Sequence, residues 1–336
     1  MHAPRPKEVR DPSRQIKLGE IVGGRWEIVR VLGEGGFGAV YEVRDVKSTG
    51  KGEVGRTYAM KVEATQAPKH DQVLKMDVNI LRRMTGKNSK HFVSLVSVGK
   101  NDRVHFMVTS LVGPSIHELK KERRGGKFTP RTVAHIAFNS LEALREMHDI
   151  GYLHRDIKPA NLAIGRPPNS RELFLLDFGL CRQYRHEDGR LRRPRDRAGF
   201  RGTMRYAPLA CHRSVESSRA DDLWNWLYVM IELTVGRLPW DSEIARSRDF
   251  PLKEAIKRVG AVKDIMNRTP TDLMDRCPIE FMTLHEHISS LDYISSPDYE
   301  LLLMALRKME ERRRQPDKDG ELLDWEGHTR KSRHGS

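Results

Sequence analysis

The apolar positions of this 336-residue chain follow two different periods. Over residues 26–43, "WEIVRVLGEGGFGAVYEV", two runs rich in β-branched and aromatic residues are broken by glycines, which predicts a β-hairpin. A Gly- and Lys-containing turn, "STGKGEVGR", leads to a short apolar strand at 57–62, and 92–98 and 104–111 read as further strands. Between them, "QVLKMDVNILRRM" (72–84) places Val73, Met76, Ile80 and Met84 at helical spacing and predicts an amphipathic helix. After "VGPS" at 112–115 the character changes to helices, notably 132–149 and 222–235. The pattern predicts an α+β protein: a polar arm over 1–24, a small strand-rich part over 25–112, a larger helix-rich part over 113–310 and a flexible charged tail over 311–336.

Composition narrows the class. With 38% hydrophobic and 32% charged residues this is an ordinary globular balance, and no apolar run approaches the roughly 18 residues of a membrane span. The first fifteen residues, "MHAPRPKEVRDPSRQ", have no apolar stretch of the secretory kind. Cys181, Cys211 and Cys277 are too scattered for a zinc site or a disulfide framework, so a reducing compartment is expected, cytoplasmic or nuclear. The formal charge of +14 is unevenly placed. Nine arginines between 182 and 205 face Glu187, Asp188 and Asp196, an excess of six positive charges in one short segment. No aromatic-interleaved basic stripe, helix-turn-helix or finger spacing accompanies it, which argues against nucleic acid as the partner.

Glycine density gives the first chemical clue. In "VLGEGGFGAV", Gly33, Gly35 and Gly38 fit G-x-G-x-x-G, a pattern that lets backbone amides approach phosphate both in dinucleotide folds and in the loop that covers ATP in kinases. A dinucleotide turn joins a strand to a helix and wants an acid about 20 residues on. Here strand follows strand, which favours the kinase hairpin. Phosphoryl transfer then needs a cation on the phosphates, carboxylate and amide oxygens on Mg²⁺, and a carboxylate to orient the attacking hydroxyl. All occur in order. "YAMK" ends on Lys61; "HRDIKPAN" supplies Asp156 to orient the hydroxyl, Lys158 to neutralise the γ-phosphoryl and Asn161 for the metal; "LLDFGL" supplies Asp177 as the second metal ligand. The separation of 21 positions between the two aspartates suits a loop and two short strands.

On these motifs residues 25–310 resemble the protein kinase superfamily. "LVGPS", "DDLW", "LPW" and "GTMRYA" are similar to the casein kinase 1 family, and "HRDIKPANLAIGRPP", "DFGLCRQY" and "RPRDRAGFRGTMRYA" resemble its tau-tubulin kinase branch. The resemblance implies a bilobal kinase fold, ATP and Mg²⁺ as cofactors, and transfer to Ser or Thr of protein substrates at acidic or already phosphorylated sites; a monomer with no membrane association is expected. It further implies that Leu32, Val40, Ala59 and Leu111 line the nucleotide pocket, with Thr109 guarding the space behind adenine.

Three departures qualify this. The helix acid that pairs with the strand lysine is Asp77 rather than glutamate, one methylene shorter, so the pair needs a closer helix or a bridging water. Pro208 replaces the usual serine of "YAS", and Leu209 stands where most kinases have glutamate. Asp77 keeps a second reading open, a nucleotide- or partner-binding pseudokinase scaffold. The arginine-rich segment contains no Ser or Thr between Leu180 and Gly202, so activity without Ser/Thr phosphorylation there is expected. Arg205, Arg201 and Lys158 are its first candidates for holding a substrate phosphate.

Overall fold

A computed structural model describes residues 16–35, 38–47, 56–65, 73–87, 89–312 and 322–326. The chain divides into two units, one formed by residues 1–112 with Asp177–Gly179 and the other by Gly113–Leu176 with Leu180–Ser336. The architecture is the expected α+β, a sheet-built unit and a helical one.

The first unit is a six-stranded antiparallel sheet carrying one helix. Its strands are β1 (Ile21–Val22), β2 (Trp26–Gly35), β3 (Gly38–Asp45), β4 (Thr57–Ala64), β5 (Leu95–Lys100) and β6 (Val104–Ser110), in the order β1-β2-β3-β4-β6-β5, and the helix is α1 (Leu74–Thr85). Strand alternation divides the sheet into two faces. Ala39, Tyr41, Val43, Met60, Val62, Phe106 and Val108 turn one way into a buried cluster with Trp26 and Ile28. Gly38 is obligatory at the hairpin: its φ of +141° and a Cβ that would fall 2.0 Å from Val62 O exclude any other residue. Helix α1 buries Leu74, Asp77, Ile80, Leu81 and Met84 on one stripe. It starts without a local side-chain cap; Glu63 of β4 supplies the missing acceptor, taking the amides of Val73 and Leu74 at 2.7 and 2.9 Å. Gln72, Gly36 and Phe37 lie outside the described residues.

The arm drawn over 1–24 needs correction at its inner end. Ile16 is buried in the sheet core and β1 pairs with β2, because an apolar residue and a β-branched pair suffice to extend the sheet by one short strand. The outer residues 1–15 are outside the described ones.

The second unit holds α2 (Ile116–Lys121), α3 (Pro130–Asp149), the short strands β7 (Tyr152–Leu153), β8 (Leu162–Ile164), β9 (Leu173–Leu175) and β10 (Arg182–Gln183), and then α4 (Leu209–His212), α5 (Arg219–Val235), α6 (Asp241–Arg246), α7 (Leu252–Arg268), α8 (Pro270–Leu273), α9 (Glu280–Ser289) and α10 (Tyr299–Glu311). Helix α3 begins where Thr129 accepts from Thr132 N and Pro130 occupies the first turn. It packs against α5 and α10, and α9 packs against both of these. Helix α5 is buried on nearly every side, so its sequence, "RADDLWNWLYVMIELTV", is apolar all round rather than striped.

The charged tail also differs from expectation. Residues 322–326 are seated on the second unit: Leu323 is buried, Asp324 accepts from Thr129 N at 2.6 Å and from Arg123 at 2.8 Å, and the Trp325 indole donates to Ser170 O. Composition marks this stretch as polar, but Leu323 is buried and Trp325 lies edge-on to Phe128.

One buried imidazole makes stability pH-dependent. His212 Nδ1 donates to Ile256 O at 2.7 Å, and burial together with the nearby Lys263 charge pushes its pKa down to about 4. The folded state therefore refuses a proton that the unfolded chain binds below pH 6.5. The stabilisation is complete above 6.5 and declines as the pH falls toward 4, by roughly 2–3 kcal/mol at 1.36 kcal/mol per unit. Melting curves from pH 7 to 5 should show this slope flattened in His212→Gln; equal slopes in the two proteins would refute the buried neutral imidazole.

Candidate active site

The sheet face opposite the core gathers the residues expected to meet nucleotide. Pairing places Gly33 opposite Val40, Val40 opposite Lys61 and Ala59 opposite Thr109, and Ala59 and Lys61 are two apart on β4, so all five share one face. Leu32, at the exposed edge of burial, sits beside Gly33 on β2, Gly35 ends that strand opposite Gly38, and Leu111 directly follows β6.

Lys61 Nζ lies 2.8 Å from Asp77 Oδ2 and 2.8 Å from Asp177 Oδ1. No bridging water is needed: Asp77 is buried on α1 and reaches the ammonium directly. Its other oxygen accepts from Phe178 N at 2.7 Å. The shorter acid thus holds the lysine with one oxygen and the segment after Asp177 with the other. Burial opposes the lysine's charge, yet the attraction of Asp77 and then Asp177, with their hydrogen bonds, outweighs it and holds the pKa above the ordinary lysine value. Lys61 is a fixed cation at any physiological pH. Asp177 itself sits at φ +63°, a left-handed conformation that costs a non-glycine residue on the order of 1 kcal/mol, and Phe178 stacks on Phe92 with centroids 5.7 Å apart.

The second unit arranges the "HRDIKPAN" residues. Asp156 is buried; its Oδ1 accepts from Thr203 N (2.9 Å) and Thr203 Oγ1 (2.8 Å), and its Oδ2 from Lys158 Nζ (2.6 Å). Asn161 donates Nδ2 to Asp156 O at 2.9 Å, which leaves its side-chain carbonyl as the end suited to a cation. The loop is held from below by α5. Asp222 accepts from His154 N (2.7 Å), Arg155 N (2.8 Å) and His148 Nε2 (3.0 Å), and Asn225 exchanges two bonds with the backbone of Ile157. Arg155 is left-handed at φ +67°, and the two amides delivered to one carboxylate hold it there. Gly202, at φ +94° with a Cβ position only 2.6 Å from Arg155 O, lets the chain pass close enough for Thr203 to reach Asp156.

Asp222, Asn225, Thr203 and Glu63 are the residues that motif reading missed. The motifs "DDLW" and "GTMRYA" contained two of them, Asp222 and Thr203, without marking their roles; Asn225 and Glu63 carried no such signal.

Among the described residues no three His, Cys, Asp or Glu side chains gather as a metal cage. Mg²⁺ takes hard oxygen ligands, one or two of them from the protein and the rest from water and phosphate. The Asp177 carboxylate in the first unit and the Asn161 carbonyl in the second are each oxygen donors of this kind.

The arginine-rich segment is mostly engaged with its own fold. Arg182 and Arg195 share Glu216 at 3.0 and 2.5 Å, Arg190 meets Asp188, and Arg192 donates to Gln183. Arg205, expected to be open to a substrate phosphate, is instead held by Glu232 at 2.9 Å and Asp241 at 2.7 Å. Arg193, Arg197 and Arg201 are exposed and have no partner among the described residues.

Comparison with known proteins agrees with this geometry. The protein kinase domain family matches residues 26–316. The chain is similar to a protein named as a serine/threonine-protein kinase in Dictyostelium discoideum, 34% identical over 86% of this chain and 54% of the relative. It is also similar to a Caenorhabditis elegans protein named as a serine/threonine-protein kinase, 36% identical over 87% of this chain and 79% of the relative, and to one from the same organism named as a casein kinase I, 33% identical over 87% and 82%. The chain thus spans about half the length of the Dictyostelium relative. A strand lysine held by two carboxylates and a buried, triply bonded aspartate are what phosphoryl transfer asks of a protein; the chain belongs to the protein kinase family, and its domain is that of a serine/threonine kinase.

Proposed function

We propose that this chain transfers the γ-phosphoryl group of ATP to serine or threonine hydroxyls of acidic or already phosphorylated protein segments, in the manner of the casein kinase 1 family and its tau-tubulin kinase branch, in the cytoplasm or nucleus. The observation that carries the substrate class is a cavity of about 530 Å³ within the second unit, lined by His117, Lys120, Lys121, Arg123, Lys158 and Arg205. Its one lining acid, Glu232, is already occupied by Lys120, Arg205 and the Tyr206 hydroxyl. Lys120 and Arg205 are paired with Glu232, Arg123 with Asp324 and Lys158 with Asp156, so Lys121 is the lining cation without a carboxylate partner among the described residues, and it is the group placed to attract a substrate anion near Asp156.

The roles follow from the geometry. Lys61 meets nucleotide phosphate as a permanent cation; Asp156, oriented by Thr203, accepts or steers the substrate hydroxyl proton; Lys158, 2.6 Å from Asp156, counters charge on the transferring group. Asp177 in the first unit and Asn161 in the second are the oxygen donors that would take Mg²⁺, an ion that would supply neutralisation of phosphate charge. Thr109, buried on the sheet face with Ala59, keeps the space behind adenine open to a small side chain's volume.

The test uses phosphatase-treated protein and matched neutral, acidic and pre-phosphorylated peptides. Treated enzyme should stay active. Lys121 is exposed with no partner among the described residues, so Lys121→Glu should lower kcat/KM for the two anionic peptides about three- to tenfold and leave the neutral one unchanged, an effect that fades with salt. Arg205→Ala should slow all three, since it releases Glu232 and Asp241. Equal slowing by Lys121→Glu would remove the acidic preference, and no incorporation of phosphate by the parent protein beyond an Asp177→Asn control would leave the pseudokinase reading.

A further inference from the structure

The strangest side chain in the molecule lies outside the residues already assigned. Lys263, on α7, is wholly buried and has no carboxylate partner among the described residues. A buried amine without a counter-ion is costly unless its hydrogens are taken up, and here they are taken up by the backbone. Nζ donates to Met204 O at 2.8 Å and to Ala207 O at 2.6 Å. The rings of Trp240 and Tyr228 surround it, with centroids 4.9 and 5.3 Å away. Burial holds its pKa well below the ordinary lysine value, but the two bonds do not depend on charge, because an amine and an ammonium both have two N–H groups to give.

We propose that Lys263 is a positioning residue for catalysis: it locks the turn Thr203–Ala207, and through Thr203 it sets the orientation of the Asp156 carboxylate. The connection is continuous. Tyr206 N and Ala207 N both donate to Thr203 O, at 2.9 and 2.8 Å, so the turn is a closed unit whose far end is the pair of carbonyls gripped by Lys263. Its near end is Thr203, whose amide and hydroxyl hold Asp156 Oδ1. Trp240 adds a third grip, its indole N–H donating to Arg205 O at 2.7 Å. Residue 209, a leucine, offers no charge with which this segment could be anchored instead. The bland alternative is a lysine that only fastens α7 to a loop. In that case its loss would lower stability and leave the chemistry of the folded molecules alone.

This inference rests on the kinase reading, and the experiment separates the two. Lys263→Met preserves shape and apolar volume while removing both donors; Lys263→Arg restores donors. For each variant, kcat and the KM for ATP are measured well below its own melting temperature, and hydrogen exchange is followed at Thr203, Tyr206 and Ala207. The expected result is a loss of tenfold or more in kcat for Lys263→Met, with KM for ATP within twofold of the parent, faster exchange across 203–207, and partial recovery of both in Lys263→Arg. Lys263→Met that melts earlier yet keeps kcat within twofold overturns the proposal, as does a fallen kcat with unchanged exchange. Should Lys263→Met not fold, Lys263→Arg decides by the same two measurements: coupled changes in kcat and exchange support the proposal, and either without the other refutes it. A parent protein that transfers no phosphate would sink the kinase reading, and exchange alone would then judge the anchoring.

Discussion

Asp156→Asn is expected to reduce phosphoryl transfer by about 10²–10⁴-fold, the usual worth of a positioned acid–base group, while leaving the fold in place. The amide is isosteric, so the buried volume does not change. What changes is hydrogen-bond polarity. Asp156 receives three bonds, from Thr203 N, Thr203 Oγ1 and Lys158 Nζ, and gives none through its side chain. An asparagine must turn an NH₂ toward one of these donors, which loosens Thr203 or expels Lys158, and it can no longer take a proton. Lys61→Met and Asp177→Ala should fall as steeply for a different reason, the loss of the phosphate cation and of a metal ligand. The three losses should not add, because the groups act as one unit. Melting temperatures and phosphate incorporation measured together make the check: near-parent turnover in any of the three folded variants would undo the assignment.

The second large effect concerns Asp77. Asp77→Ala is expected to cost about two orders of magnitude in turnover, since breaking a buried pair leaves an uncompensated charge and typically costs about 3–5 kcal/mol, part of which relaxation returns. The carboxylate has two separate duties, one oxygen on Lys61 and the other on Phe178 N. Removing it takes from the buried Phe178 amide its Asp77 acceptor and gives Lys61 to Asp177 alone, which ties the carboxylate proposed for the metal to a cation. Asp77→Glu tests the reach of the pair. Both present contacts are already at 2.7–2.8 Å, so one more methylene must push either the lysine or the backbone amide away, and turnover should fall several-fold rather than rise. Unchanged turnover in Asp77→Ala would show that Lys61 needs no helix acid. A gain in Asp77→Glu would show that the short side chain is a handicap rather than a fit.

Much of this protein could be read from its residues alone, because the information was local. The change from strand to helix periodicity marks the two units, and residues that must lie within a few positions of one another for chemical reasons, as in "HRDIKPAN", carry their own geometry. Strand alternation even sorts Ala59 and Lys61 onto one face. The rest depends on contacts between residues far apart in the chain, which no local pattern encodes. That Asp77, one methylene shorter than a glutamate, reaches Lys61 directly is a matter of how near α1 lies to β4. Arg205, an obvious free cation by sequence, is neutralised by Glu232 and Asp241 only because α5 and the start of α6 converge on it. Asp222 lies 66 residues after Asp156 and reaches the two amides before it through the packing of α5. Leu323 and Trp325 sit in a stretch that composition marks as solvated, and a few apolar contacts with earlier parts of the chain are enough to seat it. The sequence by itself determined the fold class and which residue types could do the chemistry; the tertiary structure decided which charges are left free to do it, because neutralisation and burial are set by whatever the fold brings within about 3 Å.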